Sequence, residues 1–205
     1  MKKTILTLVC AIAALSVSAQ RASSSSSSFF STEKSDEKVT FGVRGGVNFS
    51  NLSIEGESWD SHTGFHAGVN VDIPLLQSLY LSTGLYYTVK GFSDDRVEKK
   101  ASANYLEIPV LASYRYNFSD NAQLQVNVGP YFAYGIGGKQ KYMEYEWDYF
   151  DDEDNKFDVG LQIGAGVTFA KHIYLGLAYE FGFVNVVPDY KTKNSNFMIS
   201  LGYQF

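Results

Sequence analysis

The chain has 205 residues, 45% hydrophobic and 16% aromatic, and a formal net charge of −5. An acidic chain without basic clusters argues against nucleic acid as a partner. Its one cysteine is Cys10. Downstream of Ala19 no apolar stretch approaches the roughly 18 residues that a transmembrane helix needs, which excludes that kind of membrane anchor from the rest of the chain.

Residues 1–19 have the pattern of a secretory signal peptide. Lys2 and Lys3 precede an apolar stretch over 5–15, and the small residues Val17-Ser18-Ala19 form a cleavage site. The apolar stretch is shorter than the roughly 20 residues of a spanning helix. We therefore expect a mature chain that begins at Gln20, without Cys10. Loss of that cysteine excludes disulfides, thiolate metal sites and cysteine nucleophiles.

Residues 20–39 are predicted to be a disordered tether. Ser23–Ser28 is an unbroken serine run, and charged residues follow it. Such a segment buries too little apolar surface to offset the entropy cost of ordering it.

From Thr40 onward, apolar residues alternate with small or polar ones, which is the period-two pattern of strands with two different faces. The clearest run spans 156–169, where Phe157, Val159, Leu161 and Ile163 fall on one face. Eight such runs are predicted: 40–50, 64–74, 79–90, 104–118, 122–137, 156–169, 173–184 and 195–205. Their length suits a membrane, since ten tilted residues cover roughly 25 Å.

The connections between these runs alternate in length. Residues 75–78, 119–121 and 170–172 are short, whereas 51–63, 91–103, 138–155 and 185–194 are long and polar. Brief periplasmic turns and longer external loops are typical of outer-membrane barrels. The sequence thus predicts an all-β fold over 40–205, an eight-stranded antiparallel up-and-down transmembrane β-barrel in the cell outer membrane.

The two faces of the strands differ in chemistry. One face is rich in glycine and carries charges of both signs, which predicts paired charges in a narrow lumen: Arg44, Asp72, Lys90, Glu107, Arg115, Asp158 and Glu180. Aromatic residues on the other face cluster near both strand ends, as in the interfacial girdles of membrane barrels: Phe49, Phe65, Tyr87, Tyr134, Phe157 and Phe183 at one end, and Tyr114, Tyr116, Phe118, Phe169, Tyr203 and Phe205 at the other. Pro109 and Pro130 fall inside strands and predict bulges or local breaks in pairing.

Several segments resemble the PorT-like outer-membrane β-barrel family, often labelled "porin family". Gly42-Val43-Arg44-Gly45-Gly46-Val47-Asn48-Phe49-Ser50 is similar to its opening Gly-x-x-Gly-Gly-x-Asn-Phe-Ser pattern, and Tyr105-Leu106-Glu107-Ile108-Pro109 to its mid-chain strand. Val128-Gly129-Pro130-Tyr131, Phe157-Asp158-Val159-Gly160 and Gly164-Ala165-Gly166 are similar to its fifth and sixth strands. The terminal Phe205 resembles the C-terminal aromatic signal read by the outer-membrane assembly machinery. The resemblance implies fold and location, not one activity.

We expect no catalytic, cofactor or metal site, and a structural or surface-interaction role without an open pore, since the side chains of an eight-stranded barrel fill its interior. One alternative is a secreted, soluble, lipocalin-like barrel that binds a small apolar ligand. A second is an outer-membrane hydrolase that uses His62 or His66 near the external rim, with Asp60 or Ser61 beside it.

The segment 142–155 is the most unusual predicted loop. It interleaves seven acidic residues with five aromatic ones. Oxygen ligands at this density suit calcium, but the glycine of an EF-hand loop is missing. Aromatic residues beside acids also suit protein or ligand recognition. The simpler interpretation is a solvated acidic loop whose aromatic rings rest on the barrel rim.

Overall fold

A computed structural model of the chain describes residues 38–54, 57–58, 60–94, 99–142, 145–150, 156–184 and 192–205. The predicted signal peptide and almost all of the predicted tether lie outside these residues. The described chain forms eight long strands and two short ones: β1 (Thr40–Ile54), β2 (Glu57–Ser58), β3 (Asp60–Leu76), β4 (Leu79–Asp94), β5 (Lys99–Ser119), β6 (Ala122–Tyr142), β7 (Tyr145–Asp148), β8 (Phe157–Phe169), β9 (Ile173–Gly182) and β10 (Thr192–Gln204).

The eight long strands form a closed antiparallel barrel. Each pairs with its neighbours in chain order, and β10 pairs with β1 to close the ring, from Gly42↔Gln204 to Ile54↔Thr192. The short strand β2 pairs with β1, and β7 pairs with β6. Closure removes the free sheet edges, so that the backbone groups are hydrogen-bonded within the membrane. Within the described part of the chain, no helix is long and apolar enough to span a membrane.

The apolar face of the barrel points outward, as predicted. Along β9 exposed and buried residues alternate, and Leu175 and Leu177 each keep 50% of their surface exposed. Ile163 of β8, at 48%, continues this apolar surface. The side chains that point inward are largely polar. The soluble lipocalin-like alternative is therefore wrong, because it needs an apolar lumen and a polar exterior.

The two predicted aromatic girdles are present on the outside of the barrel. At the end with long connections, Phe49 contacts Phe197 and Phe65 contacts Tyr87, with ring centroids 6.4 and 5.8 Å apart. At the end with short turns, Tyr203 stacks on His172 at 5.3 Å and contacts Phe205 at 5.4 Å. Amphipathic rings at two levels match the two membrane interfaces.

Inward-facing glycines make room for tyrosine rings. The Tyr174 ring lies over Gly166 and Gly176, where an added Cβ would approach its atoms to 2.5 and 2.2 Å. Glycine in a strand interior weakens the strand, but it permits this close approach. The lumen is consequently filled by rings and charged side chains that the glycines accommodate.

Pro109 and Pro130 interrupt pairing without shifting its register. The β4–β5 ladder skips from Thr83↔Val110 to Tyr86↔Glu107, beside Pro109. The β5–β6 ladder skips from Pro109↔Tyr131 to Ala112↔Val128, beside Pro130. The predicted local breaks are thus confirmed, whereas register shifts lie elsewhere, one of them between Asn104 and Tyr105.

The strands run further into the predicted long loops than their alternation indicates. β6 continues to Tyr142 rather than 137, and β7 lies inside the predicted loop 138–155. Strand β5 begins at Lys99, inside the predicted loop 91–103. The loop predictions were wrong there because a strand that extends beyond the membrane is exposed to water on both faces. Its sequence therefore need not alternate between apolar and polar residues.

Candidate functional site

The lumen holds two separate groups of charged side chains. The first, nearer the end with long connections, is the Lys90 cluster: Lys90, Glu107, Asp158 and Glu180. Its Lys90 Nζ lies 2.8 Å from Glu107 Oε2, 2.9 Å from Glu180 Oε2 and 4.0 Å from Asp158 Oδ2. All four side chains are almost fully buried. Four different strands supply them, so the cluster ties β4, β5, β8 and β9 together across the lumen.

Neutral side chains complete the Lys90 cluster. Asn196 Nδ2 donates to Glu180 Oε2 at 3.0 Å, and the Tyr131 hydroxyl donates to Asp158 Oδ2 at 3.3 Å. The Tyr131 ring also lies under the ammonium, with Lys90 Nζ 4.4 Å from its centroid. Buried charges are tolerated only with partners of this kind.

The second group, nearer the short turns, is the Asp72 cluster: Arg44, Asp72 and Arg115. Arg115 Nη2 lies 2.7 Å from Asp72 Oδ2, and Arg44 Nη2 lies 3.8 Å from the same oxygen. Ser82 Oγ donates to Asp72 Oδ1 at 2.5 Å, and Gln204 Nε2 donates to Oδ2 at 3.2 Å. The two clusters contain every charged residue that the sequence predicts to point inward, and in each cluster cations pair with acids as predicted.

Between the two clusters, three residues from three strands form a hydrogen-bonded chain. His66 Nδ1 lies 2.7 Å from Asn48 Oδ1, and His66 Nε2 lies 2.9 Å from Ser200 Oγ. Gly46 separates His66 from Ser200 in the sheet, and a Cβ there would lie 2.8 Å from the imidazole Cε1. The missing side chain of Gly46 therefore permits the histidine and the serine to meet across β1.

A Ser–His–Asn chain of this order matches the connectivity of nucleophilic catalysts. The space beside it does not suit a substrate, since the adjoining cavity has a volume of about 40 Å³. That volume admits a few water molecules, which need roughly 10–15 Å³ each by the same measure. The arrangement is best explained as a satisfied polar network in the lumen rather than as a nucleophilic site.

An aromatic lid, Tyr149 and Phe150, packs over the lumen above the Lys90 cluster. The Phe150 ring contacts Tyr105 edge-on at 5.7 Å and Tyr149 at 4.9 Å. Tyr149 is buried with Ala101, Ala103, Tyr131 and Ala133. An added Cβ at Gly135 would lie 2.3 Å from the Phe150 ring, so this glycine makes room for the lid.

The two aromatic residues on β7 are exposed, unlike the lid. Tyr145 and Trp147 on β7 are 76% and 42% exposed. Lys139 of β6 forms an ion pair with Glu146 of β7. Their hydrogen bond raises the pKa of Lys139 and lowers the pKa of Glu146. The predicted loop 142–155 therefore divides into an inward lid and an outward strand, and its residues 143–144 and 151–155 lie outside the described set.

The family model for the outer membrane protein β-barrel domain matches residues 19–187. The chain belongs to this outer-membrane β-barrel family. Its fold, its lipid-facing surface and this membership place the protein in the outer membrane. No curated protein matches the sequence.

Solved structures of similar fold are also outer-membrane barrels. Neisserial surface protein A has a TM-score of 0.54 and 13% identity, over 82% of this chain and 100% of its own. The attachment invasion locus protein Ail of Yersinia pestis has a TM-score of 0.50 and 15% identity, over the same shares. At such identities the likeness shows the fold alone.

The outer-membrane barrel does not bring the predicted hydrolase residues together at its external rim. His66 is buried in the lumen with Asn48 and Ser200 instead of lying beside Ser61, which is exposed. His62 is half-buried on the same face of β3, and the side chain of Asp60 lies outside the described set. Among the described residues no cluster of histidine and carboxylate side chains could hold a metal ion.

Sequence reasoning missed Ser200 and Asn48 as partners of His66. The period-two pattern places all three on the inward face, which is a signal that they share the lumen. Their contact depends on how β3, β1 and β10 are aligned beside one another. The alternation of residues along a single strand does not specify that register.

Proposed function

We propose that this outer-membrane barrel is a non-enzymatic surface-interaction protein with a closed lumen, which acts through the strands that extend beyond its external rim. The observation that supports it is the uneven length of the strands. The β6–β8 ladder ends at Tyr134↔Phe157, whereas β6 continues for eight more residues to Tyr142 and pairs with β7. Those eight residues extend roughly 25 Å along the strand.

The closed lumen supports the same proposal. The aromatic lid covers the Lys90 cluster, and the cavity below it measures about 40 Å³. A cavity of this size admits only a few water molecules, consistent with the packed interiors of eight-stranded barrels. The interaction surface would then be the extracellular arm, β6 residues 135–142 together with β7.

The finer assignment to the PorT-like group is part of this proposal. Its supporting motif residues have defined places in the lumen: Asn48 bonds His66, and Glu107 pairs with Lys90. The C-terminal strand ends beside β1, where Phe205 N donates to Phe41 O at 2.8 Å. We infer that the assembly machinery reads this strand and that a cleaved signal peptide over 1–19 directs export.

Single-cysteine labelling tests the proposed exposure, because the mature chain that we predict contains no cysteine. Tyr145→Cys lies on the arm and Asp120→Cys lies in a short turn, and both positions are exposed. A membrane-impermeant maleimide applied to intact cells should label Tyr145→Cys and spare Asp120→Cys until the cells are opened. Equal labelling of both, or labelling of Asp120→Cys alone, would contradict the proposal.

Conductance tests the closed lumen. Purified protein in a planar lipid bilayer should show no steady current. The double variant Tyr149→Ala with Phe150→Ala, which lacks the lid side chains, should also show no current, because the charged network still blocks the lumen. A stable channel in the unaltered protein would overturn this part of the proposal.

A further inference from the structure

Strand β7 has an exposed outer edge. It pairs with Lys139–Tyr142 of β6 on one side, and among the described residues no strand pairs with its other side. All four β7 residues are exposed. Sheet edges present unpaired N–H and C=O groups, which are a template for another extended chain.

The direction of the β7 backbone groups follows from one hydrogen bond. Tyr149 N donates to Gly138 O at 3.0 Å, which makes 149 and 138 a hydrogen-bonded pair in the register of this ladder. Hydrogen-bonded and non-hydrogen-bonded pairs alternate in antiparallel sheets. The N–H and C=O groups of Trp147 thus face β6, whereas those of Asp148 and Glu146 point to the open edge.

The two faces of β7 have different chemistry. Paired residues share a face, so Glu146 and Asp148 lie on the face that carries Lys141 and Lys139, and Tyr145 and Trp147 lie on the opposite face. The surrounding segment, 142–155, contains seven acidic residues and no basic one. At the open edge an approaching chain meets first the carboxylates of Glu146 and Asp148 on one face, with Lys139 and Lys141 one strand behind them, and aromatic rings on the other face.

We propose that the open edge of β7 binds an extended segment of a partner protein in which basic and apolar side chains alternate. The partner segment would add a strand beside β7, with hydrogen bonds to the backbone of Glu146 and Asp148. Its basic side chains would face Glu146 and Asp148, and its apolar side chains would pack on Tyr145 and Trp147. Strand addition of this kind takes affinity from main-chain bonds and specificity from alternate side chains.

The acidic residues of β7 favour a basic partner segment over a second copy of this chain. Two β7 edges placed together would oppose acidic segments of the same sign, and like charges directly opposite each other destabilise a sheet. A basic segment is attracted instead, and attraction between opposite charges accelerates its encounter with the edge. This inference rests on the proposed surface role, because the edge must be accessible outside the cell.

The test uses the full mature chain refolded in lipid vesicles and a fluorescent peptide, acetyl-Lys-Val-Lys-Val-Lys-Val-amide. Asp148→Pro removes the N–H that points to the open edge, and proline is tolerated on edge strands. Asp148→Ala is the matched control, since it removes the same carboxylate and keeps the N–H. Unchanged gel mobility of both variants shows that the barrel still folds.

We expect the peptide to bind, Asp148→Ala to weaken binding a few-fold, and Asp148→Pro to weaken it by a further factor of about ten, the effect of losing one good hydrogen bond. Methylation of the backbone nitrogens removes their N–H groups, and in a strand only alternate N–H groups point to the neighbouring strand. Of two peptides, one methylated at every lysine amide and one at every valine amide, only one should therefore lose binding. Three results would overturn the inference. They are equal binding by the two methylated peptides, equal effects of the two Asp148 variants, and tighter binding of a peptide in which glutamate replaces every lysine.

Two further outcomes separate this inference from the proposed function. If Tyr145→Cys is labelled on cells but the peptide does not bind, the surface role stands and the strand-addition site is wrong. If Tyr145→Cys is not labelled, the proposed function itself fails. A dimer that Asp148→Pro abolishes would identify a second copy, not a basic partner, as the occupant.

Discussion

Removal of the only ammonium group in the Lys90 cluster, by Lys90→Met, should destabilise the barrel severely. Methionine fills similar volume but leaves three buried carboxylates without a cation. Glu180 keeps Asn196, and Asp158 keeps Tyr131 and Asn194. Loss of one partner from a buried ion pair costs about 3–5 kcal/mol. We expect the free energy of unfolding to fall by that amount at neutral pH.

The comparison variant is Arg115→Leu in the Asp72 cluster. Asp72 retains hydrogen bonds from Ser82 and Gln204, and Arg44 remains 3.8 Å away, so its carboxylate stays compensated. We expect a loss of about 1–3 kcal/mol, the usual cost of one buried hydrogen-bonding partner. Lys139→Ala breaks an exposed ion pair and should have no measurable effect.

The assay is urea unfolding of protein in lipid vesicles, followed by the gel mobility of unheated samples. Lys90→Met should lose the most stability, Arg115→Leu less and Lys139→Ala none. The double variant Lys90→Met with Glu107→Gln should recover part of the loss, because it removes one uncompensated charge. If Lys90→Met proves as stable as Arg115→Leu, or if the double variant recovers nothing, the charge account of the lumen is refuted.

Three further predictions follow from the packing and the lipid-facing surface. Gly46→Ala places a Cβ 1.8 Å from Ile199 O and should impair refolding, whereas Gly45→Ala, whose Cβ meets His66 O at 3.3 Å, should refold nearly normally; equal yields would contradict the close packing across β1. Leu177→Arg should lower the unfolding free energy by about 2–4 kcal/mol if this exposed leucine lies at the bilayer midplane, and a silent variant would refute the lipid-facing assignment. Ser200 should not react with a fluorophosphonate probe in the folded barrel, because its cavity is too small; labelling that Ser200→Ala abolishes would revive the hydrolase alternative.

The strands and their faces could be predicted because a lipid-exposed barrel imposes strict alternation. Leu175, Leu177 and Ile163 are apolar because they face lipid. Charged residues that alternate with such apolar residues along a strand must point to the opposite face, which is the lumen. The same logic predicted that the inward cations would pair with the inward acids, but not which with which; the structure gives Lys90 the partners Glu107, Asp158 and Glu180.

The extracellular arm and the lid could not be predicted in this way. Residues 138–142 of β6 and all of β7 lie where water meets both faces, so no alternation marks them as strands. The inward turn of Tyr149 and Phe150 depends on space left by Gly135, a long-range fit that composition does not reveal. The contact of His66 with Ser200 likewise depends on the register of three strands.

The most direct test of the lipid-facing barrel is refolding of the mature chain into lipid vesicles. The barrel should migrate differently on gels before and after heating, and it should stay with the vesicles through alkaline and urea washes. A protein that is monomeric and soluble without detergent, with no heat-dependent shift, would contradict the outward apolar face on which the whole account depends.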